Sequence, residues 1–192
     1  MRELLFSSYG IRLIAGLLVL AFLASLPAGL AGANGKRYRN RSQVNGQGRN
    51  GGWVAPVSNQ AYRAQCGACH FVYQPGLLPA RSWDRIIAGR KDHFGQEISL
   101  EPGQAESVRT YLRANAADTA GSRVSRRVMN SLAGQTPLRV TQVPFILHQH
   151  MGRKLPPGVF KRKSVGSLAN CAACHPTADR GIYDAAYVRI PE

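Results

Sequence analysis

Two strings decide the fold: Cys66-Gly67-Ala68-Cys69-His70 and Cys171-Ala172-Ala173-Cys174-His175. Between them they use all four cysteines of a 192-residue chain. Residues three apart share one face of a helical turn. Two thiols so placed reach the two vinyl groups on one edge of a porphyrin, and the histidine that follows lies under the ring as proximal iron ligand. Each string is therefore an attachment site for a covalent haem c. Cys66 and Cys69 would carry the first haem with His70 as ligand, and Cys171 and Cys174 the second with His175. No cysteine is left for a disulfide. A zinc ribbon separates its Cys pairs by about 15–20 residues, whereas these lie at 69 and 171. A thioredoxin-like dithiol explains neither following histidine and needs a βαβ pattern that is absent here.

An iron held by His70 needs a second axial ligand. No methionine lies between His70 and Met129, and the other imidazole in that span is His93. His93 is the expected distal ligand of haem 1, against the plain alternative of a surface residue after an amphipathic helix. For haem 2 the candidates are His148, His150 and Met151. Residues two apart on a helix point to different sides, so one of the two histidines at most reaches the iron. Composition does not choose between them. Two imidazoles on each iron close the site and lower its potential relative to Met/His ligation. A closed iron has no position for substrate, which favours electron transfer over catalysis.

Outward from the motifs, the pattern is mainly α. Ser58 is placed to cap a helix over 59–66 that enters the first motif. After Gln74-Pro75-Gly76, Ser82 is placed to cap a second helix with Trp83, Ile86 and Ile87 on one face, and Gly95 to follow its end. Glu101-Pro102 opens a third, with Ala105, Val108, Tyr111 and Leu112 as its stripe. A basic helix is expected from Ser122 to Leu132. Val140 to His150 is apolar-rich, with Pro144 leaving helix or extended chain open. Ser167 to Cys174 forms a short helix into the second motif. The organisation expected is two small haem-centred helical domains, 58–118 and 119–192. Units of that size have marginal protein cores, so the apoprotein is expected to fold poorly.

Arg2 and Arg12 flank the start of an apolar run, Leu13 to Ala33, that ends in small residues. Residues 1–33 fit an export signal peptide cut before Asn34, with a cut after Ala31 as the second choice. The run is also long enough for a retained anchor. Either way the globular part lies outside the cytoplasm, in the periplasm. Residues 34–57 are basic and rich in Gly and Asn, and are expected to be a flexible tether. The formal net charge is +15, of which Arg2, Arg12 and Glu3 leave +14 after residue 33. Such a field suits an acidic protein face or an anionic membrane surface. Nucleic acid is not expected as a partner of an exported chain.

The chain resembles the bacterial dihaem cytochromes c that accompany a small oxygen-binding monohaem cytochrome. Beyond the motifs, the resemblance rests on Gln74-Pro75-Gly76-Leu77-Leu78-Pro79-Ala80-Arg81-Ser82-Trp83, Asp92-His93-Phe94-Gly95 and Tyr111-Leu112. In the second half it rests on Asn170 before the motif, Ala178, Gly181 and Ile190-Pro191. It implies a class I cytochrome c-like first domain and bis-histidine, low-potential haems. It also implies electron flow from a membrane cytochrome b to the small monohaem c-type cytochrome. In the family's second half a histidine follows a Pro-aromatic-apolar stretch, and Pro144-Phe145 places it at His150, with His148 as second choice. The resemblance implies a carrier rather than an enzyme. The alternatives are a dihaem peroxidase-like enzyme or a haem-based sensor, either of which needs one open iron.

Overall fold

The structure, a computed structural model, describes residues 53–151 and 155–192. The expected export signal 1–33, the basic stretch up to residue 52 and Lys154 lie outside the described residues. The described residues contain six α-helices: α1 (Gln60–Cys66), α2 (Ala80–Ala88), α3 (Pro102–Ala114), α4 (Arg123–Ser131), α5 (Pro144–His150) and α6 (Cys171–Cys174). Pairing among the described residues outside helices is confined to two isolated antiparallel bridges, Trp53 with Ile182 and His93 with Gln96. The mainly helical expectation holds.

The helix ends follow local chemistry, with some changes of actor. Asn59, not Ser58, caps α1: its side chain accepts the Tyr62 N–H at 2.8 Å. Ser58 instead gives its N–H to the Tyr111 hydroxyl at 3.0 Å, which ties the start of α1 to α3. Ser82 does not cap α2, which begins two residues earlier at Ala80. There Pro79 sets the entry, and the Asp118 carboxylate accepts the Ala80 N–H at 3.0 Å. Ser82 lies inside the helix with its hydroxyl buried. The helix ends at Gly89, not near Gly95. Glu101 and Pro102 open α3 with a capping box closed by Gln104, and Ser122 caps α4. Pro144 resolves the ambiguity of residues 140–150: it stands at the first turn of α5, where its missing N–H costs nothing. The short helix expected from Ser167 forms only over the four residues of α6.

The apolar stripes meet as their spacing requires. Trp83 and Ile87 of α2 pack with Val108 and Leu112 of α3, and Asp84 holds Arg109 (2.8 Å) and Arg113 across the same seam. Tyr62 of α1 joins them edge-on to Trp83, at 6.2 Å between ring centres. The buried cluster continues past residue 118 through Val124 and Val128 of α4 and Leu132 at its end to Val140 and Val143. Ser125 links the two stretches, donating to the Gly76 carbonyl at 2.9 Å. Residues 155–192 are built differently. Their regular structure is α6 and the single 3₁₀ turns Val159–Lys161, Ala178–Arg180 and Ala185–Tyr187. Their buried side chains Val159, Val165, Ala178 and Ile182 stand outside the main cluster, and Tyr183 packs at its edge.

Residues 53–57, expected to belong to a flexible tether, are part of the folded unit. Val54 and Val57 are buried, and the Val54 N–H donates to the Gly181 carbonyl at 2.8 Å. Apolar side chains placed among glycines were enough to anchor the end of a stretch that reads as linker by composition. Gly181 makes the pairing possible. Its φ is +71°, and a β-carbon there would stand 2.1 Å from the Val54 carbonyl oxygen. Gly181→Ala is expected to destabilise the holoprotein by about 1–3 kcal/mol from the backbone conformation, with the steric clash added. A clear fall in the thermal midpoint checks this, and an unchanged midpoint contradicts it.

Candidate haem sites

The first motif sits at the end of α1. Cys66 is the last helical residue, and Gly67 carries the chain around a close corner: a β-carbon there would lie 2.4 Å from the Arg63 carbonyl oxygen and 2.5 Å from a Val72 methyl. Tyr62 fixes the far side of this corner, donating from its hydroxyl to the Tyr73 carbonyl at 2.8 Å. His70 Nδ1 donates to the Phe71 carbonyl at 2.7 Å, which assigns the tautomer with Nε2 free to bind a metal. His93 is presented by a tight turn. The N–H of His93 donates to the Gln96 carbonyl at 2.7 Å and Gln96 returns a bond at 3.3 Å, while Asp92 accepts the Gly95 N–H at 2.8 Å. Phe94 and Gly95 both take positive φ to close that turn, +58° and +90°. The glycine expected to end α2 thus shapes the loop of His93 instead.

The second motif fills α6 from Cys171 to Cys174 and ends on His175 as its C-cap, with the His175 N–H donating to the Cys171 carbonyl at 2.9 Å. Asn170 anchors its start through Val165 (3.0 Å), and Arg189 N–H binds the Cys174 carbonyl (2.9 Å) at its end. His150 lies in the last turn of α5. Its Nδ1 donates to the Ile146 carbonyl one turn back at 2.7 Å, again leaving Nε2 free.

The structure brings the four histidines together in two pairs. The rings of His70 and His93 face each other nearly parallel, 6.3 Å between centres and 25° apart. Those of His150 and His175 are 6.0 Å apart at 70°. With a metal–nitrogen bond of about 2.0–2.1 Å and imidazole rings of ordinary bond lengths, two imidazoles on opposite sides of one metal have centres roughly 6–6.5 Å apart. Both pairs match that span. His148 is exposed on another side of α5, beside Arg127, Asn130, Ser131 and Phe145, and Met151 is 68% exposed.

Burial tunes the same groups. The Cys66 and Cys171 thiols are pushed up to about 11 by burial, and Cys174 is raised by the same cause. Before haem attachment they are neutral S–H groups at neutral pH, unlike a redox dithiol, which needs a depressed thiol. Burial, reinforced by His150, lowers His175 to about 4; burial, then His70 and Arg139, lowers His93. A neutral imidazole is the form that ligates metal. Among the described residues, no three His, Cys, Asp or Glu side chains gather into a cage for a metal ion. The donor set instead fits an iron whose remaining ligands come from a porphyrin.

Several neighbours carried no signal in the sequence. Tyr73 lies 5.5 Å from His70, Tyr183 lies 5.4 Å from His175 and Phe160 lies 6.3 Å from His150. Arg139 stacks its guanidinium 3.5 Å over the Phe94 ring, roofing the His93 turn from the other half of the sequence. Aromatic residues just after a haem motif were the available hint for Tyr73. The others depend on long-range packing.

A family model described as dihaem cytochrome c matches residues 62–183. The solved diheme cytochrome c from Rhodobacter sphaeroides is 36% identical, with a TM-score of 0.59, over 68% of this chain and 99% of that one. The diheme cytochrome c of Shewanella baltica OS155 is 32% identical, with a TM-score of 0.56, over 69% of this chain and 93% of that one. No curated protein matches the chain. With both haem motifs inside the matched span, the chain belongs to the dihaem cytochrome c family, as an electron-transfer cytochrome with two covalent haems c.

Proposed function

We propose that the protein is a periplasmic carrier whose two irons are each closed by two imidazoles, His70 with His93 and His175 with His150. The observation that carries this is the pair of ring separations, 6.3 and 6.0 Å, each the span of one metal between two nitrogens. A bound haem supplies one-electron exchange between ferric and ferrous iron. The chain's residues would supply two imidazoles to each haem, with His93 and His175 held neutral by burial, and would leave no ligand position for a substrate. The Nδ1 hydrogen bonds of His70 and His150 fix ring orientation and tautomer. Electrons enter from a membrane cytochrome b and leave to a small monohaem c-type cytochrome.

Docking to that partner is electrostatic. Arg81, Arg90 and Arg162 are committed to backbone carbonyls or neighbouring side chains. Arg85, Lys91, Lys161 and Lys163 are exposed; Lys91 stands two residues before His93, and Lys161 follows the Phe160 that touches His150. In stopped-flow mixing with an acidic monohaem cytochrome c, the second-order rate is expected to fall steeply as ionic strength rises. A rate that does not change with salt rejects the docking, and rapid peroxide turnover by the holoprotein rejects the carrier in favour of an enzyme.

A further inference from the structure

One two-residue segment touches both haem sites. Tyr73 packs its ring 5.5 Å from His70 at 39°. From its far end the same side chain donates a hydrogen bond to the Ala169 carbonyl at 2.9 Å, across 96 positions of sequence. The Ala169 oxygen in turn lies 3.7 Å from Cys171 Sγ, the atom that carries the thioether of the second haem. Tyr73 thus reaches from an axial ligand of one site to a covalent attachment point of the other. Gln74 makes a second link. It is fully buried, donates from Nε2 to the Ala178 carbonyl at 2.6 Å and accepts the Tyr183 hydroxyl, whose ring lies 5.4 Å from His175. Tyr62 holds the segment from behind through the Tyr73 carbonyl at 2.8 Å.

We infer that Tyr73 is the positioning residue that couples the two haem sites, its ring set against His70 and its hydroxyl fixing the Ala169–Cys171 segment for electron exchange between them. The inference rests on the carrier function proposed above. Electron tunnelling weakens exponentially with gaps in the packed path, and a hydrogen bond shortens such a gap. The exchange moves one electron and no proton. It leaves one site as ferrous iron becomes ferric and arrives at the other as ferric becomes ferrous, with the phenol keeping its proton throughout. The phenol also fixes where α6 begins, because the accepting carbonyl lies two residues before the helix.

The test compares holoprotein variants in a half-reduced sample, with exchange between the one-electron states read from the haem-methyl NMR lines. The wild type is expected to show averaged lines for intramolecular exchange. Tyr73→Phe keeps the ring, loses the hydroxyl link and is expected to slow exchange severalfold, so that the lines broaden or separate, with both low-spin signals retained. Tyr111→Phe is the control: it too loses a hydroxyl bonded to backbone, the partner being Ser58 N–H, but away from both histidine pairs. Exchange in Tyr73→Phe as fast as in the wild type overturns the bridge, and so does equal slowing in both variants. Either result leaves the two-imidazole assignment standing, because the wild-type g-values report that assignment separately.

Discussion

Replacing His150 with alanine is expected to open the second haem and leave the first closed. After reduction the variant should bind one carbon monoxide per chain, and its oxidised spectrum should show half of the haem as high-spin. Added imidazole should restore the low-spin form, because the void left by the ring accepts the same ligand. His148→Ala, two residues away, should do neither. The contrast follows from α5: one turn of hydrogen bonding to Ile146 aims His150 at His175, whereas His148 lies exposed beside Arg127 and Phe145. His93→Ala should open the first site in the same way, through loss of the ring facing His70. Opening of the second haem by His148→Ala but not by His150→Ala would reverse the assignment.

The second large effect concerns folding. Cys171→Ala with Cys174→Ala removes both covalent bonds to the second haem, and residues 155–192 have a small apolar core besides the hydrogen bonds that tie them to Val54, Tyr73 and Gln74. Their one helix is a four-residue turn, and their buried valines stand outside the main cluster. Each 100 Å² of apolar haem surface covered by this segment contributes about 2.5 kcal/mol to its order. Without that contribution the opening free energy of the segment should fall toward zero, whereas α1 to α5 keep their own cluster of Tyr62, Trp83, Leu112, Leu132 and Val143. Amide exchange followed by mass spectrometry should show protection lost across 155–192 and largely kept from Gln60 to Val143. Full protection of the last segment in the double variant would show that its fold does not depend on the haem.

Much of this was legible in the sequence, for identifiable reasons. Cys-x-x-Cys-His is local chemistry: the spacing alone sets two thiols and an imidazole at one porphyrin. The stripe of α3 and the basic helix expected from Ser122 to Leu132 are likewise short-range and appeared where the spacing put them, the helix spanning Arg123–Ser131 behind Ser122. Competing caps were harder. Asn59 displaced its neighbour Ser58, and Pro79 with Asp118 displaced Ser82, because the choice depends on which oxygen the incoming chain aims at the helix. Trp53 to Val57 resembled linker by composition and were recruited by Gly181, more than a hundred positions away. His148 and His150 could not be separated by composition; a backbone hydrogen bond and the helix phase separate their positions. Tyr73 and Arg139 escaped notice because their roles arise only when the two halves of the sequence meet.

The most direct measurement of the central claim is electron paramagnetic resonance of the oxidised wild-type holoprotein, followed by carbon monoxide addition after reduction. The account predicts two low-spin haems per chain with bis-imidazole g-values and no carbon monoxide adduct. A high-spin signal in the oxidised protein, or an adduct at either haem, would contradict it.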